Sequence, residues 1–171
     1  MRKASREMPT EWALEVLTKA PYITISMTEK DGTPYAIPLS LAKADNGCFY
    51  FHGAQEGKKI EILKQNNKVC LSAVTKCKPV VGPKDNSFTL EFQSAIAFGI
   101  AEEVTDEDEK IYAMKAICER FLPNHMAAFN SSIERSLQRT AVYKITLTSE
   151  PTGKRKQYDK NGDELKYGRM E

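Results

Sequence analysis

No stretch of the chain approaches the roughly 20 consecutive apolar residues that a bilayer-spanning helix needs, which excludes a helical membrane protein. Basic residues are not in useful excess either. The 25 lysines and arginines stand against 23 acidic residues, a formal charge of +2, so a nucleic-acid partner is not expected. Only 4 cysteines occur, at positions 48, 70, 77 and 118, and no two are close enough for a zinc site or a Cys-x-x-Cys redox motif. Cys48, Cys70 and Cys118 sit among apolar neighbours and read as buried thiols of a reducing compartment. The basic start Met1-Arg2-Lys3 is followed by no apolar run, so no secretory signal is expected and the location reads as cytoplasmic. Asp159, Asn161 and Asp163 begin like a calcium loop, but Glu164 replaces the glycine and Met170 the final bidentate Glu, so no metal is expected. A Gly-x-Gly-x-x-Gly turn is also missing.

What is present is alternation. The 171 residues include 41% apolar ones, enough for one domain with a core. Thr10 to Ala20 has helical periodicity, with Thr10 as its expected N-cap and Pro21 as its end. Tyr22 to Met27 and Tyr35 to Leu41 alternate around Asp31-Gly32, a hairpin signal, and Asp45-Asn46-Gly47 leads into a third strand, Cys48 to Gly53. Glu56 to Asn66 reads as a short helix, Val69 to Val74 as a strand, and Lys78 to Ser87 as a loop. Phe88 to Ala101 reads as a long strand with Phe88, Leu90, Phe92, Ile96 and Phe98 on one side, and the aromatics are expected to alternate inward. A helix from Asp106, buried through Ile111, Met114, Cys118 and Phe121, ends at Pro123. A short helix near 132–137 and a strand through Tyr143, Ile145 and Leu147 complete the core. Strands joined by tight turns exclude a doubly wound parallel sheet. They favour a mainly β fold, a small antiparallel barrel of six to seven strands with peripheral helices. Residues 1–150 form the expected domain, and 151–171 a polar tail or hairpin around Asn161-Gly162.

The segment Phe51-His52-Gly53-Ala54-Gln55-Glu56-Gly57-Lys58-Lys59 carries most of the chemistry. A strand runs through a glycine-punctuated turn into a helix start, where unpartnered amides and the positive end of the helix dipole meet two lysines. That arrangement suits a phosphate group, with His52 close behind. Taken alone, paired lysines at a helix start are more often merely solvated, and a strand histidine more often packs. Pro38 within a strand marks an edge or a bulge, with Ser40 on the same side.

Taken in order, Ala36-Ile37-Pro38-Leu39-Ser40, Tyr50 to Ala54 with Gly57-Lys58-Lys59, Asn66 to Val69, and Phe92-Gln93-Ser94 with Phe98-Gly99 resemble the pyridoxamine 5′-phosphate oxidase-like flavoproteins, and within them the nitroimidazole-resistance (Nim-type) reductases. The resemblance covers about residues 5 to 150 and implies a split β-barrel that dimerises and holds FMN at the subunit interface. It implies that Pro38, Leu39 and Ser40 line the flavin ring, that Phe51, His52, Gly53 and Ala54 border it, and that Gly57, Lys58 and Lys59 meet its phosphate. Gln93 and Ser94 would add polar contacts; many relatives carry Glu where this chain has Gln93. His52 matches a histidine placed near the substrate and becomes the candidate catalytic residue. The implied activity is FMN-dependent electron transfer from NADH or NADPH to a small organic acceptor, a nitroaromatic being one candidate. A non-catalytic flavin- or haem-binding barrel is the alternative. An oligonucleotide-binding barrel fits poorly, because it needs surface aromatics interleaved with basic residues.

Overall fold

Helix α1, Thr10–Lys19, buries Ala13, Val16 and Leu17 and leaves its charged side chains in water. Pro9 rather than Thr10 takes the N-cap position, and the Thr10 hydroxyl donates instead to Glu150 Oε2 at 3.1 Å. A proline there needs no amide partner, which frees the threonine for a longer-range bond. The computed structural model to which this helix belongs describes residues 2–81 and 88–166. The chain groups into two compact units, the first made of residues up to Ile23, Ser72–Ala97 and Glu150 onward, the second of Thr24–Leu71 and Phe98–Ser149.

In the second unit β2 (Ile23–Thr28, entering from the first) buries Ile25 and Met27 on its inward face. It turns at Asp31-Gly32 into β3 (Pro34–Leu39), where Asp31 Oδ1 accepts the Thr33 amide at 2.9 Å. Strands β4 (Ala42–Lys43) and β5 (Phe49–Gly53) follow, then helix α2 (Lys58–Gln65). The long strands β6 (Lys68–Val81) and β7 (Phe88–Glu103) run through both units. Helices α3 (Glu107–Phe121) and α4 (Phe129–Ser136) precede β8 (Ala141–Leu147). The sheet order is β3-β2-β6-β7-β8-β5-β4, with β5 pairing β8 and β8 pairing β7 antiparallel. Strand β3 closes one end of that order, where Pro38 costs no central ladder bond. Tyr50, Val142, Ala113 and Ile117 form the centre of this unit's core.

In the first unit β1 (Glu7–Met8) pairs with β9 (Thr152–Lys156), which pairs in turn with β7 from Phe92 to Ile96. Gly153 makes this possible, because a Cβ there would lie 2.7 Å from the Trp12 ring of α1. Beyond β9 the chain turns at Asn161-Gly162, and Tyr158 bridges to Glu164, which the Arg6 guanidinium holds in a two-pronged ion pair.

Several expectations change. Lys78–Val81 continue β6 where a loop was expected, since Pro79 tolerates an extended backbone and Val80 and Val81 favour one; the rest of that loop, 82–87, lies outside the described residues. The described residues hold nine strands, two of only two residues, against an expected six or seven. Helix α3 takes Asp106 as its N-cap, accepting the Glu109 amide at 2.8 Å, but buries Ala113, Met114 and Ile117 rather than the Ile111–Cys118–Phe121 stripe, whose members are half-buried. Cys48, Cys70 and Cys118 are half-buried, and Cys77 is exposed. On β7 the small residues Ala95, Ala97 and Ala101 face inward, whereas Phe88, Leu90, Ile96 and Phe98 are exposed, Phe88 at 90% and Phe98 at 55%. The expected inward face of β7 is therefore its outward one.

Candidate functional site

Strand β5 alternates as its sequence requires, with Phe51 buried and His52 exposed. Its register with β8 places Phe51 opposite Tyr143, His52 opposite Val142 and Gly53 opposite Ala141. The Phe51 and Tyr143 rings stack at 5.2 Å with 6° between their planes. After the exposed Ala54 the chain reaches Gly57, whose φ of 115° and ψ of 168° suit glycine alone and which opens α2 without any side-chain cap. The first-turn amides at Lys58 and Lys59 therefore have no intrahelical partner.

The two lysines diverge. Lys58 Nζ pairs with Glu29 Oε2 at 2.8 Å, tying α2 to the β2–β3 turn, and that hydrogen bond raises its pKa. Lys59 Nζ lies 5.1 Å from the centre of the Phe51 ring, and no carboxylate among the described residues pairs with it. Burial lowers the Lys59 pKa. A Cβ on Gly53 would stand 3.0 Å from Lys59 Nζ, so the glycine leaves the space the ammonium occupies. His52 is exposed at its edge, yet desolvation by its neighbours, and then the Lys59 charge, push its pKa below the ordinary value. Phe51, His52 and Gly53 thus gather around the partly desolvated Lys59 ammonium.

Pro38, Leu39 and Ser40 lie on and just past β3, five places from β5 in the strand order. Pro38 and Ser40 are exposed and Leu39 is half-buried. Gln93 and Ser94 belong to β7 in the first unit. There Gln93 Oε1 accepts the Thr75 hydroxyl at 3.2 Å, and β9 places Arg155 opposite Gln93 and Lys154 opposite Ser94. Two features escaped the sequence. Tyr143 reads there only as a core residue, although its buried hydroxyl has no hydrogen-bond partner among the described residues. The run Lys154, Arg155, Lys156 carries no apolar alternation that would mark it as a strand beside Gln93.

Residues 9–155 match the family described as pyridoxamine 5′-phosphate oxidase. The chain belongs to that family. Among solved structures it is similar to a candidate 5-nitroimidazole antibiotic resistance protein from Bacteroides thetaiotaomicron, with 24% identity, TM-score 0.70, and 85% of this chain and 83% of that one covered. It is also similar to a FAD and haem binding protein from Mycobacterium smegmatis, with 20% identity, TM-score 0.76, and coverage of 88% and 73%. The flavocytochrome Anf3 from Azotobacter vinelandii gives 17% identity, TM-score 0.70, and coverage of 97% and 81%. These likenesses establish the fold, a mainly antiparallel β architecture with helices of the split-barrel class. No curated protein matches. No helix among the described residues is long and apolar enough to cross a membrane.

Proposed function

We propose that this family member binds FMN and passes electrons from NADH or NADPH to a small organic acceptor, with nitroaromatic compounds among the candidates. The observation that carries the reading is Lys59, a partly buried ammonium without a carboxylate partner among the described residues, set beside Gly53 at an uncapped helix start. An ammonium held this way lacks its counter-charge, and a phosphate supplies one together with acceptors for the free amides. The residues present therefore fit the group. Lys59 and the amides at Lys58 and Lys59 would hold the phosphate, Phe51, His52, Gly53 and Ala54 would border the ring, and Pro38, Leu39 and Ser40 would line it. Gln93 and Ser94, contributed by a second copy of the chain, would add polar contacts. Bound flavin supplies the hydride and electron chemistry, which the protein orients and tunes.

His52 has its pKa lowered, so its ring is neutral at pH 7 and can both donate and accept a hydrogen bond. In this reading it orients the acceptor and relays a proton at the ring nitrogen facing it. A second copy of the chain covers the outward row Phe88, Leu90, Ile96 and Phe98, since apolar side chains so exposed on one strand call for a partner. The free cysteines suit a cytoplasmic home.

A second reading, flavin or haem binding without turnover, is favoured by the same neutral, exposed imidazole, the form that ligates iron. Anaerobic mixing of the purified, flavin-loaded protein with NADPH or NADH and then with a nitroaromatic acceptor separates the two. Bleaching by the donor and recovery on adding the acceptor support the reductase. A flavin absorbance indifferent to both donors contradicts it.

A further inference from the structure

Helices α3 and α4 and the short 3-10 helix between them, Pro123–Ala128, surround a pocket of about 150 Å³ in the second unit. The chain has 6 methionines, 4 cysteines and 2 histidines, and four of these side chains, Met114, Cys118, His125 and Met126, line this one space. Met114 and Cys118 stand four residues apart on α3, which puts both on the same side of the helix. His125 and Met126 come from the 3-10 segment, whose backbone is tied to the end of α3 where the His125 amide donates to the Leu122 carbonyl at 2.9 Å. The four run from the buried Met114 through the half-buried Cys118 and Met126 to the exposed His125. A volume of this size is only a few ångströms across, and the three rotatable bonds of each methionine let its sulfur follow a shared ligand.

That donor set discriminates among ions. Phe129 and Ile133 of α4 add apolar surface, and no aspartate, glutamate, lysine or arginine shares the lining. Calcium and magnesium call for carboxylates. Zinc calls for three or four ligands from Cys, His and carboxylate, and no such group occurs among the described residues. Thiolate and thioether sulfur select copper(I), and imidazole suits copper as well.

We propose that this pocket binds one copper(I) ion through the sulfurs of Met114, Cys118 and Met126 and a ring nitrogen of His125. The Cys118 thiol gives up its proton to solvent as the sulfur–copper bond forms, and no electron is transferred. The site shares no residue with the Lys59 cluster and stands whether or not flavin binds there.

Anaerobic titration of the purified full chain with copper(I), supplied from a coloured chelator that competes for it, tests the proposal. We expect uptake of one ion per chain that a large excess of zinc does not reverse. Met114→Leu, Met126→Leu and His125→Ala should each weaken it at least about tenfold, since loss of even an outer-shell partner costs that much. Cys77→Ser should leave the first ion in place. The leucine substitutions conserve volume and spare the fold. In the wild type, the methyl resonances of Met114 and Met126 should shift with the first equivalent while those of Met8 and Met27 stay. Affinity that depends on Cys118 but is unchanged in both leucine variants would reduce the site to an ordinary thiol. That result, stationary Met114 and Met126 methyls, or wild type that takes no copper from the chelator would overturn the proposal.

Discussion

Lys58 and Lys59 are neighbours in sequence, yet one ammonium is neutralised by Glu29 and the other lies against Phe51 without a counter-charge among the described residues. Charge-assisted contacts to phosphate contribute about 1.5–3 kcal/mol each, whereas exposed ion pairs contribute about 1 kcal/mol or less. Lys59→Ala should therefore weaken FMN binding about ten- to hundredfold in a fluorescence titration, and Lys58→Ala by only about threefold. The sequence shows that a cation pair follows the turn, but which member is free depends on Glu29, a residue nearly thirty positions earlier. His52 carries a pH signature. Its folded pKa lies below the ordinary 6.5 because of desolvation first and Lys59 second. The unfolded chain thus takes up that proton first, and stability falls as pH drops through the ordinary value toward the folded one. Urea midpoints measured from about pH 7.5 down to about pH 5, a span that brackets ordinary histidine titration, should decline less steeply in His52→Gln than in the wild type. Parallel declines would show that His52 is not the responsible group.

At the level of elements, Gly57 sets the geometry of the site. Its backbone lies where side chains are strained, so Gly57→Ala should cost about 1–3 kcal/mol in chemical denaturation and lower flavin affinity with it. Unchanged stability would mean that the turn relaxes without consequence. The β2–β3 hairpin is legible because Asp31-Gly32 separates two alternating runs, and α1 because its apolar side chains recur at helical spacing. Strand β9 is not legible. Only Gly153 in it is buried, and its pairing is decided by β1 and β7, which offer it two ladders. The start of α2 shifts two residues from the expected Glu56, because the positive φ of Gly57 cannot belong to a helix.

Across the whole molecule, the apolar row on β7 separates fold from assembly. Phe88, Leu90, Ile96 and Phe98 carry a strand pattern that either face could satisfy, and the alanines opposite them fill the interior instead. Periodicity fixes which residues share a face but not which face meets water, so the antiparallel class could be read from sequence while this orientation could not. If a second copy covers the row, Phe88→Asp/Phe98→Asp should sediment as a monomer where the wild type sediments as a dimer. A monomeric wild type would remove the dimer from the account.

In the proposed function, Lys59 anchors a flavin phosphate beside β5. The visible absorption spectrum of freshly purified wild type, Lys58→Ala and Lys59→Ala, before and after adding FMN and desalting, tests it most directly. Flavin absorbance should be retained in the first two and lost in Lys59→Ala. Protein that stays colourless after FMN addition, or equal flavin content in all three, would contradict it.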